Sequence, residues 1–96
     1  MTFEERITPL LVALTHEILD RGLYSYVEDT ANFLKALSSC RWQQLPVEEQ
    51  LFWIKRLSER LGGQDSLVDV LGYKHPVLEQ CTDVLYQQER ALSRAT

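Results

Sequence analysis

Residues 45–63 read LPVEEQLFWIKRLSERLGG, and this stretch decides the fold class. Leu45-Pro46 suits a helix start, because the missing N–H of a proline in the first turn would have no intrahelical partner. Gly62-Gly63 suits a helix end, because glycine adopts the left-handed conformation that often closes a helix. Apolar residues recur between these points at helical spacing, which predicts an amphipathic helix over residues 46–61. Its predicted buried stripe comprises Val47, Leu51, Ile54, Ser58 and Leu61, with Leu57 at the edge.

Aromatic residues lie outside this stripe. On a helical wheel Phe52 points almost directly away from it, and Trp53 lies on its flank. Aromatic residues and arginine are enriched at the centres of protein interfaces, and Trp42 falls in the connector before the helix. We therefore expect a partner-binding patch formed by Trp42, Phe52, Trp53 and Arg56. Alternatively, other helices cover both faces, and any aromatic residue left exposed carries no function, since single exposed apolar side chains are common.

Charged residues share the outward side of the same helix. Lys55, Arg56 and Arg60 are the densest basic group of the chain, but glutamates are interspersed among them. Glu59 follows Lys55 at the i,i+4 spacing that allows an ion pair on a helix surface, worth a few tenths of a kcal/mol. The pattern is typical of a solvated helix face with local ion pairs.

Two further helices are predicted after the glycine pair. Ser66-x-x-Asp69 predicts a capped short helix over residues 66–71, closed by Gly72. Pro76 opens a last helix that extends over residues 76–93. The apolar face of that helix comprises Val77, Leu78, Cys81, Val84, Leu85 and Leu92.

The first helix, predicted over residues 8–21, has apolar residues on two sides. Thr8 is its expected N-cap, with Pro9 in the first turn, and the helix ends near Gly22. Val12 and Leu19 lie opposite the main apolar face, so the helix is either central in its own fold or paired with another chain. We expect Val12 and Leu19 to mediate self-association into a homodimer. The main face comprises Ile7, Leu10, Leu11, Leu14 and Ile18.

The second helix, predicted over residues 26–40, begins at a capping box. In the Ser25-x-x-Glu28 pattern each side chain satisfies an otherwise unpaired backbone N–H. Glu28, Asn32 and Lys35 are expected to face water. The buried side comprises Tyr26, Phe33, Leu34, Leu37 and Cys40.

These patterns together predict an all-α protein. No stretch alternates apolar and polar residues as a strand would, so we expect a compact bundle of four to five short helices with no sheet. The chain has 96 residues, and one helical domain over residues 1–96 is expected because domains usually contain roughly 100–150 residues. Several packing topologies of the helices remain open at this stage.

Composition argues against charged polymers and membranes as partners. Ten Lys and Arg oppose fourteen Asp and Glu, which gives a formal net charge of −4. Such a chain repels phosphate backbones and anionic lipid unless its cations cluster. The start of the chain is acidic where a secretory signal would be basic, and no apolar run approaches the ~20 residues of a membrane span. We expect a cytoplasmic protein with Cys40 and Cys81 reduced, a disulfide between them being the alternative.

A search for catalytic or ligand-binding patterns finds none. His16 and Glu17 are adjacent on a helix, so their side chains point about 100° apart and do not form a catalytic pair. His75 precedes Pro76 as a helix-entry residue would, and the cysteines and histidines show no metal-binding spacing. Each pair of adjacent carboxylates lies in the first turn of a predicted helix, where the helix dipole favours negative charge. These pairs are Glu4-Glu5, Glu28-Asp29 and Glu48-Glu49. We therefore expect no enzyme activity, no cofactor and no metal.

One alternative function is DNA binding. Residues 67–85 resemble a helix-turn-helix in the spacing of Val68, Gly72, Leu78 and Cys81. The second helix of that motif would present Lys74, His75, Glu79 and Gln80 to the groove. Its single lysine is opposed by two acids, whereas phosphate contacts need clustered Lys and Arg, so a plain helical hairpin is favoured.

The expected function is therefore that of a small non-catalytic protein–protein interaction module. An adaptor or regulatory subunit would act through the exposed aromatic and apolar helix face described above. The DNA-binding regulator is the first alternative. A small ligand carrier or enzyme, with an aromatic-lined pocket between helices, is the second.

Overall fold

The computed structural model describes residues 2–38, 42–63, 67–71 and 75–95, and within them it is all-α, as predicted. The described residues contain no strand. A short 3-10 turn, Trp42–Gln44, precedes the third helix. The α-helices are α1 (Phe3–Asp20), α2 (Tyr24–Ser38), α3 (Val47–Gly62), α4 (Leu67–Leu71) and α5 (Pro76–Ala95).

The start of α1 differs from the prediction. The helix begins at Phe3, and the side chain of Thr2 accepts a hydrogen bond from the Glu5 N–H at 3.2 Å, so Thr8 is not the N-cap. Pro9 lies inside the helix, where its missing N–H disfavours helix formation. Phe3 and Ile7 are buried on the turns before the proline, and this burial offsets the unfavourable local effect.

The end of α1 agrees with the prediction, and its geometry explains the glycine. Gly22 has φ of +71°, in the left-handed region. Its N–H donates to the Leu19 carbonyl at 3.1 Å, and the N–H of Leu23 donates to the Ile18 carbonyl at 3.0 Å. These two bonds form a Schellman motif, which satisfies the last carbonyls of the helix. The following helix α2 begins at Tyr24, so Ser25 lies inside its first turn rather than at the predicted N-cap.

The end of α3 lies at the predicted glycines, but for a different reason. Gly63 has φ of −83°, outside the left-handed region, and its N–H donates to the Glu59 carbonyl at 2.9 Å. A Cβ atom on Gly63 would lie 2.6 Å from that same carbonyl oxygen. The position therefore requires glycine because the backbone approaches closely, not because of its φ angle.

The helices bury one shared core. Helix α1 packs against α2 and α5, and α3 packs against α2, α4 and α5. Cys81 of α5 is a free thiol within this core, and burial raises its pKa to about 12. Cys40, Ser66 and Gly72 lie outside the described residues. The buried apolar residues are Phe3, Ile7, Leu11, Leu14, Ile18, Phe33, Leu37, Trp42, Ile54, Leu57, Leu61, Leu67, Leu78, Cys81, Val84 and Leu85.

Trp42 belongs to this core, which corrects its predicted place in a surface patch. Only 2% of the residue is exposed. Its ring centroid lies 5.7 Å from that of Phe3 and 5.4 Å from that of Phe33. The buried side chain of Gln50 holds the 3-10 turn by donating to the carbonyl oxygens of Trp42 (2.9 Å) and Leu45 (3.0 Å). The connector is therefore a core element, although its sequence has no helical period to indicate a buried side.

No helix in the described part of the chain has both the length and the apolar composition needed to cross a membrane.

Candidate interaction surface

Phe52 is the most prominent aromatic side chain of α3 on the outside of the bundle. The residue is 59% exposed, in the middle of a helix whose other side is buried. Its ring contacts the ring of Trp53 edge-on, with centroids 6.2 Å apart and planes at 77°. Trp53 is half-buried and packs against the core. The outward direction of Phe52 agrees with the helical pattern, whereas its role in binding stays a prediction.

The backbone of α3 fixes the direction of these side chains. Gln50, Ile54, Leu57 and Leu61 are buried along one side of the helix. Side chains three or four positions apart share a helix face, so the residues between the buried ones project outward together. We call this exposed set the α3 outer face: Glu48, Glu49, Phe52, Lys55, Arg56 and Glu59.

A narrow crevice lies beside the α3 outer face, between α2 and α3. Trp53 and Arg56 line it from α3 and Phe33 lines it from α2. Its volume is about 40 Å³. A single water needs roughly 10–15 Å³ on this measure, so the crevice holds a few waters or the tip of one side chain. Such a space suits an anchor residue of a protein partner better than a metabolite.

The charges beside the crevice differ in whether they have partners. Arg60 Nε lies 2.6 Å from Asp29 Oδ2, and its guanidinium lies over the ring of Tyr26, 5.1 Å from the centroid. By contrast, none of the charged residues of the α3 outer face forms a side-chain ion pair or hydrogen bond with any residue that the structure describes. The face is exposed as expected, but the ion pair that the Lys55–Glu59 spacing allows is not formed. These exposed charges remain free to pair with another molecule.

The second apolar face of α1 is exposed. Val12 is 42% exposed and Leu19 is 45% exposed, so neither lies inside the bundle. Val12 lines an open groove of about 510 Å³ between α1 and α2, together with Ala31 and Leu34 of α2. Although α1 packs against both α2 and α5, these helices do not cover Val12 and Leu19. Self-association through Val12 and Leu19 stays a prediction.

His75 makes a contact that the sequence pattern did not indicate. It precedes α5, and its Nδ1 accepts a long hydrogen bond, 3.5 Å, from the Leu78 N–H. Its Nε2 lies 3.5 Å from Glu17 Oε1 in the last turn of α1, and Arg21 Nε lies 2.7 Å from the same oxygen. The hydrogen bond from Arg21 lowers the pKa of Glu17, with His75 adding to the effect. The group ties the end of α1 to the start of α5.

The proposed helix-turn-helix segment is basic at none of its described positions. Helices α4 and α5 lie where the sequence predicts them, but Lys74 lies outside the described residues. From 67 to 71 and from 75 to 85 there is no lysine or arginine, while Glu79 and Asp83 are exposed. His75 is turned toward Glu17. Nothing in this described part favours contact with phosphates.

The described residues also contain no group of three or more His, Cys, Asp or Glu side chains that could hold a metal ion. His16, considered above for catalysis, is exposed on α1 and has no hydrogen bond or ion pair with another described residue.

The chain matches no known protein family, no curated protein and no solved structure. The surfaces described above are therefore the basis for its proposed function.

Proposed function

We propose that this chain is a non-catalytic protein–protein interaction module, an adaptor or regulatory subunit, that binds a protein through the α3 outer face. One observation carries the proposal. Phe52 is 59% exposed and lies edge-on against Trp53, on a helix whose opposite side is buried in the core. Covering an exposed phenylalanine contributes about 1.5–3 kcal/mol, so a partner that buries this ring gains substantial affinity.

The residues around Phe52 are arranged as in a protein-binding surface. Interfaces combine a central aromatic anchor with a polar rim that excludes water. Here the anchor is Phe52 with Trp53, and unpaired charges form the rim, Arg56 among them. The crevice between α2 and α3 lies at the edge of the rim and receives a side-chain tip. Trp42 contributes to the fold by packing inside the core, not by contact with the partner.

A cytoplasmic location is part of the proposal. The buried free thiol of Cys81 suits a reducing compartment, where cysteines serve as small apolar core residues. Within the proposal no cofactor, metal or nucleic acid is required.

The test is capture of partners by the tagged full chain and by two matched variants. Phe52→Ala removes the anchor, and Tyr86→Ala removes an equally exposed aromatic residue from α5, where 60% of the residue is exposed. Hot-spot residues contribute about 2 kcal/mol or more, so we expect Phe52→Ala to weaken binding at least about thirtyfold. Tyr86→Ala should bind as the wild type does. If every protein retained by the wild type is retained equally by Phe52→Ala, the proposed function is wrong.

A further inference from the structure

Four of the five charged residues of the α3 outer face are arranged symmetrically about Phe52, and the fifth, Glu59, lies one helical turn beyond them. Glu48 and Glu49 lie four and three positions before it, and Lys55 and Arg56 lie three and four positions after it. All five residues are exposed. The four charged side chains form no ion pair with any residue that the structure describes. Along the helix the order is therefore acid, aromatic, base, with equal spacing on both sides.

Helix geometry turns this order into a self-complementary surface. Residues three and four positions from Phe52 lie on the same helix face as Phe52, about 4.5–6 Å away along the axis. If a second identical helix lies antiparallel, with the two-fold axis at Phe52, the acids of each helix face the bases of the other. A parallel arrangement would place like charges opposite each other, which is repulsive. The order of charges along α3 thus favours the antiparallel pairing of two identical helices over the parallel one.

We propose that the protein bound by the α3 outer face is a second copy of this chain, docked antiparallel about a two-fold axis at Phe52. This inference rests on the proposed function, since it names the partner of the same surface. A two-fold interface places the same patch on both subunits and requires that patch to complement itself. The two Phe52 rings meet at the centre, where hot-spot residues concentrate, and two acid–base clusters flank them. Trp53 borders the contact on each subunit.

Because the whole chain is acidic, a dimer depends on the acid–base pairs at its interface. Two copies each carrying a net charge of −4 repel at a distance. Close acid–base pairs at the interface oppose that repulsion, and they also fix the register of the two helices. A partner with a uniformly acidic or uniformly basic surface would meet like charge on one half of the α3 outer face. The second copy meets opposite charge on both halves.

The test uses charge reversal in the full chain, read by sedimentation or light scattering across a concentration series. Variant one carries Lys55→Glu and Arg56→Glu, so its α3 outer face is entirely acidic. Variant two carries Glu48→Lys and Glu49→Lys, so the positions around Phe52 are entirely basic. We expect each variant alone to dimerise at least tenfold more weakly than the wild type. Mixing the two should restore a dimer containing one copy of each, detected by native mass spectrometry.

Controls separate the interface from the fold and from the other exposed apolar face. The fourfold variant that combines both reversals restores complementarity and should dimerise like the wild type. Circular dichroism checks that every variant is helical, because lysines in the first turn of α3 oppose the helix dipole. Val12→Glu tests the α1 face and should leave the α3 dimer intact.

The possible outcomes distinguish this inference from the proposed function. Restoration of the dimer in the mixture and in the fourfold variant supports the antiparallel pairing. A wild type that stays monomeric at all concentrations, or a dimer broken by Val12→Glu but not by either reversal, overturns it. In that case a captured protein that is lost on Phe52→Ala would still support the proposed function. If neither self-association nor capture depends on Phe52, both are wrong.

Discussion

At the scale of single residues, Trp42 and Phe52 show how differently two aromatic side chains close in sequence can be used. Trp42 is 2% exposed and packs between Phe3 and Phe33, whereas Phe52 is 59% exposed. Removing a buried tryptophan leaves a cavity and loses its transfer free energy. Removing an exposed ring leaves the folded chain almost unchanged in packing.

We therefore expect Trp42→Ala to lower the free energy of unfolding by about 3–5 kcal/mol. Phe52→Ala should change it by no more than about 0.5 kcal/mol, the usual range for exposed positions. Urea denaturation followed by circular dichroism measures both. Equal destabilisation by the two substitutions would place Phe52 in the core and contradict the α3 outer face.

The sequence predicts the direction of Phe52 but not that of Trp42, for a physical reason. Phe52 lies inside a helix with a clear buried stripe, so the helical period assigns its side. Trp42 lies in a three-residue 3-10 turn, too short to show a period. Its partner Phe33 lies on another helix, and its partner Phe3 is distant in sequence and precedes the predicted start of the first helix. The direction of a side chain is therefore predicted correctly only where a helix defines a face, and the role of Phe52 in binding stays a prediction.

At the scale of elements, two helices end at a glycine for two different physical reasons. Gly22 needs its left-handed φ, whereas Gly63 needs the absence of a Cβ atom beside the Glu59 carbonyl. A sequence signal for a helix stop does not distinguish these two causes, because both place glycine at the same position. The start of α1 shows the reverse case, in which a strong local signal at Thr8-Pro9 is overridden by burial of Phe3.

The two adjacent glycines at the end of α3, Gly62 and Gly63, allow a matched test of these causes. Gly63→Ala should lower stability by about 1 kcal/mol or more, because its Cβ atom would lie 2.6 Å from a backbone oxygen that cannot move freely. Gly62 is the last helical residue, and nothing lies within 4 Å of the Cβ position there. Gly62→Ala should raise stability by up to about 1 kcal/mol. Thermal denaturation checks the opposite signs, and a destabilising Gly62→Ala would contradict the open space at that position.

At the scale of the whole molecule, the packing order of the helices is what the sequence leaves undetermined. Five amphipathic helices can pack in several arrangements, because each apolar stripe indicates only which side of its helix is buried and not which helix covers it. The observed arrangement pairs α1 with both α2 and α5 and thereby brings Glu17 to His75, which are far apart in the chain. Contacts of this kind depend on topology, so no local pattern indicates them.

The contacts of Glu17 with Arg21 and His75 predict that the stability of the fold depends on pH in the acidic range. The hydrogen bond from Arg21, assisted by His75, lowers the pKa of Glu17 from its ordinary value of 4.5 in the folded protein. Because the folded pKa is the lower one, the ionised carboxylate stabilises the fold above pH 4.5, and this contribution is lost as the pH falls through the folded pKa. We expect Glu17→Gln to lower the free energy of unfolding at pH 7, and this effect should become smaller as the pH falls through the folded pKa.

Urea denaturation at several pH values between 3 and 7 measures this dependence, with Glu28→Gln as the control. Glu28 is an exposed carboxylate of α2 without an ion pair to any residue that the structure describes. Glu28→Gln therefore breaks no ion pair among these residues, whereas Glu17→Gln does. The difference between the two variants should therefore be greatest near neutrality and should shrink toward acid. A Glu17→Gln effect that is the same at pH 7 and pH 3 would mean that the side chain stabilises the α1–α5 junction by packing, not by its charge.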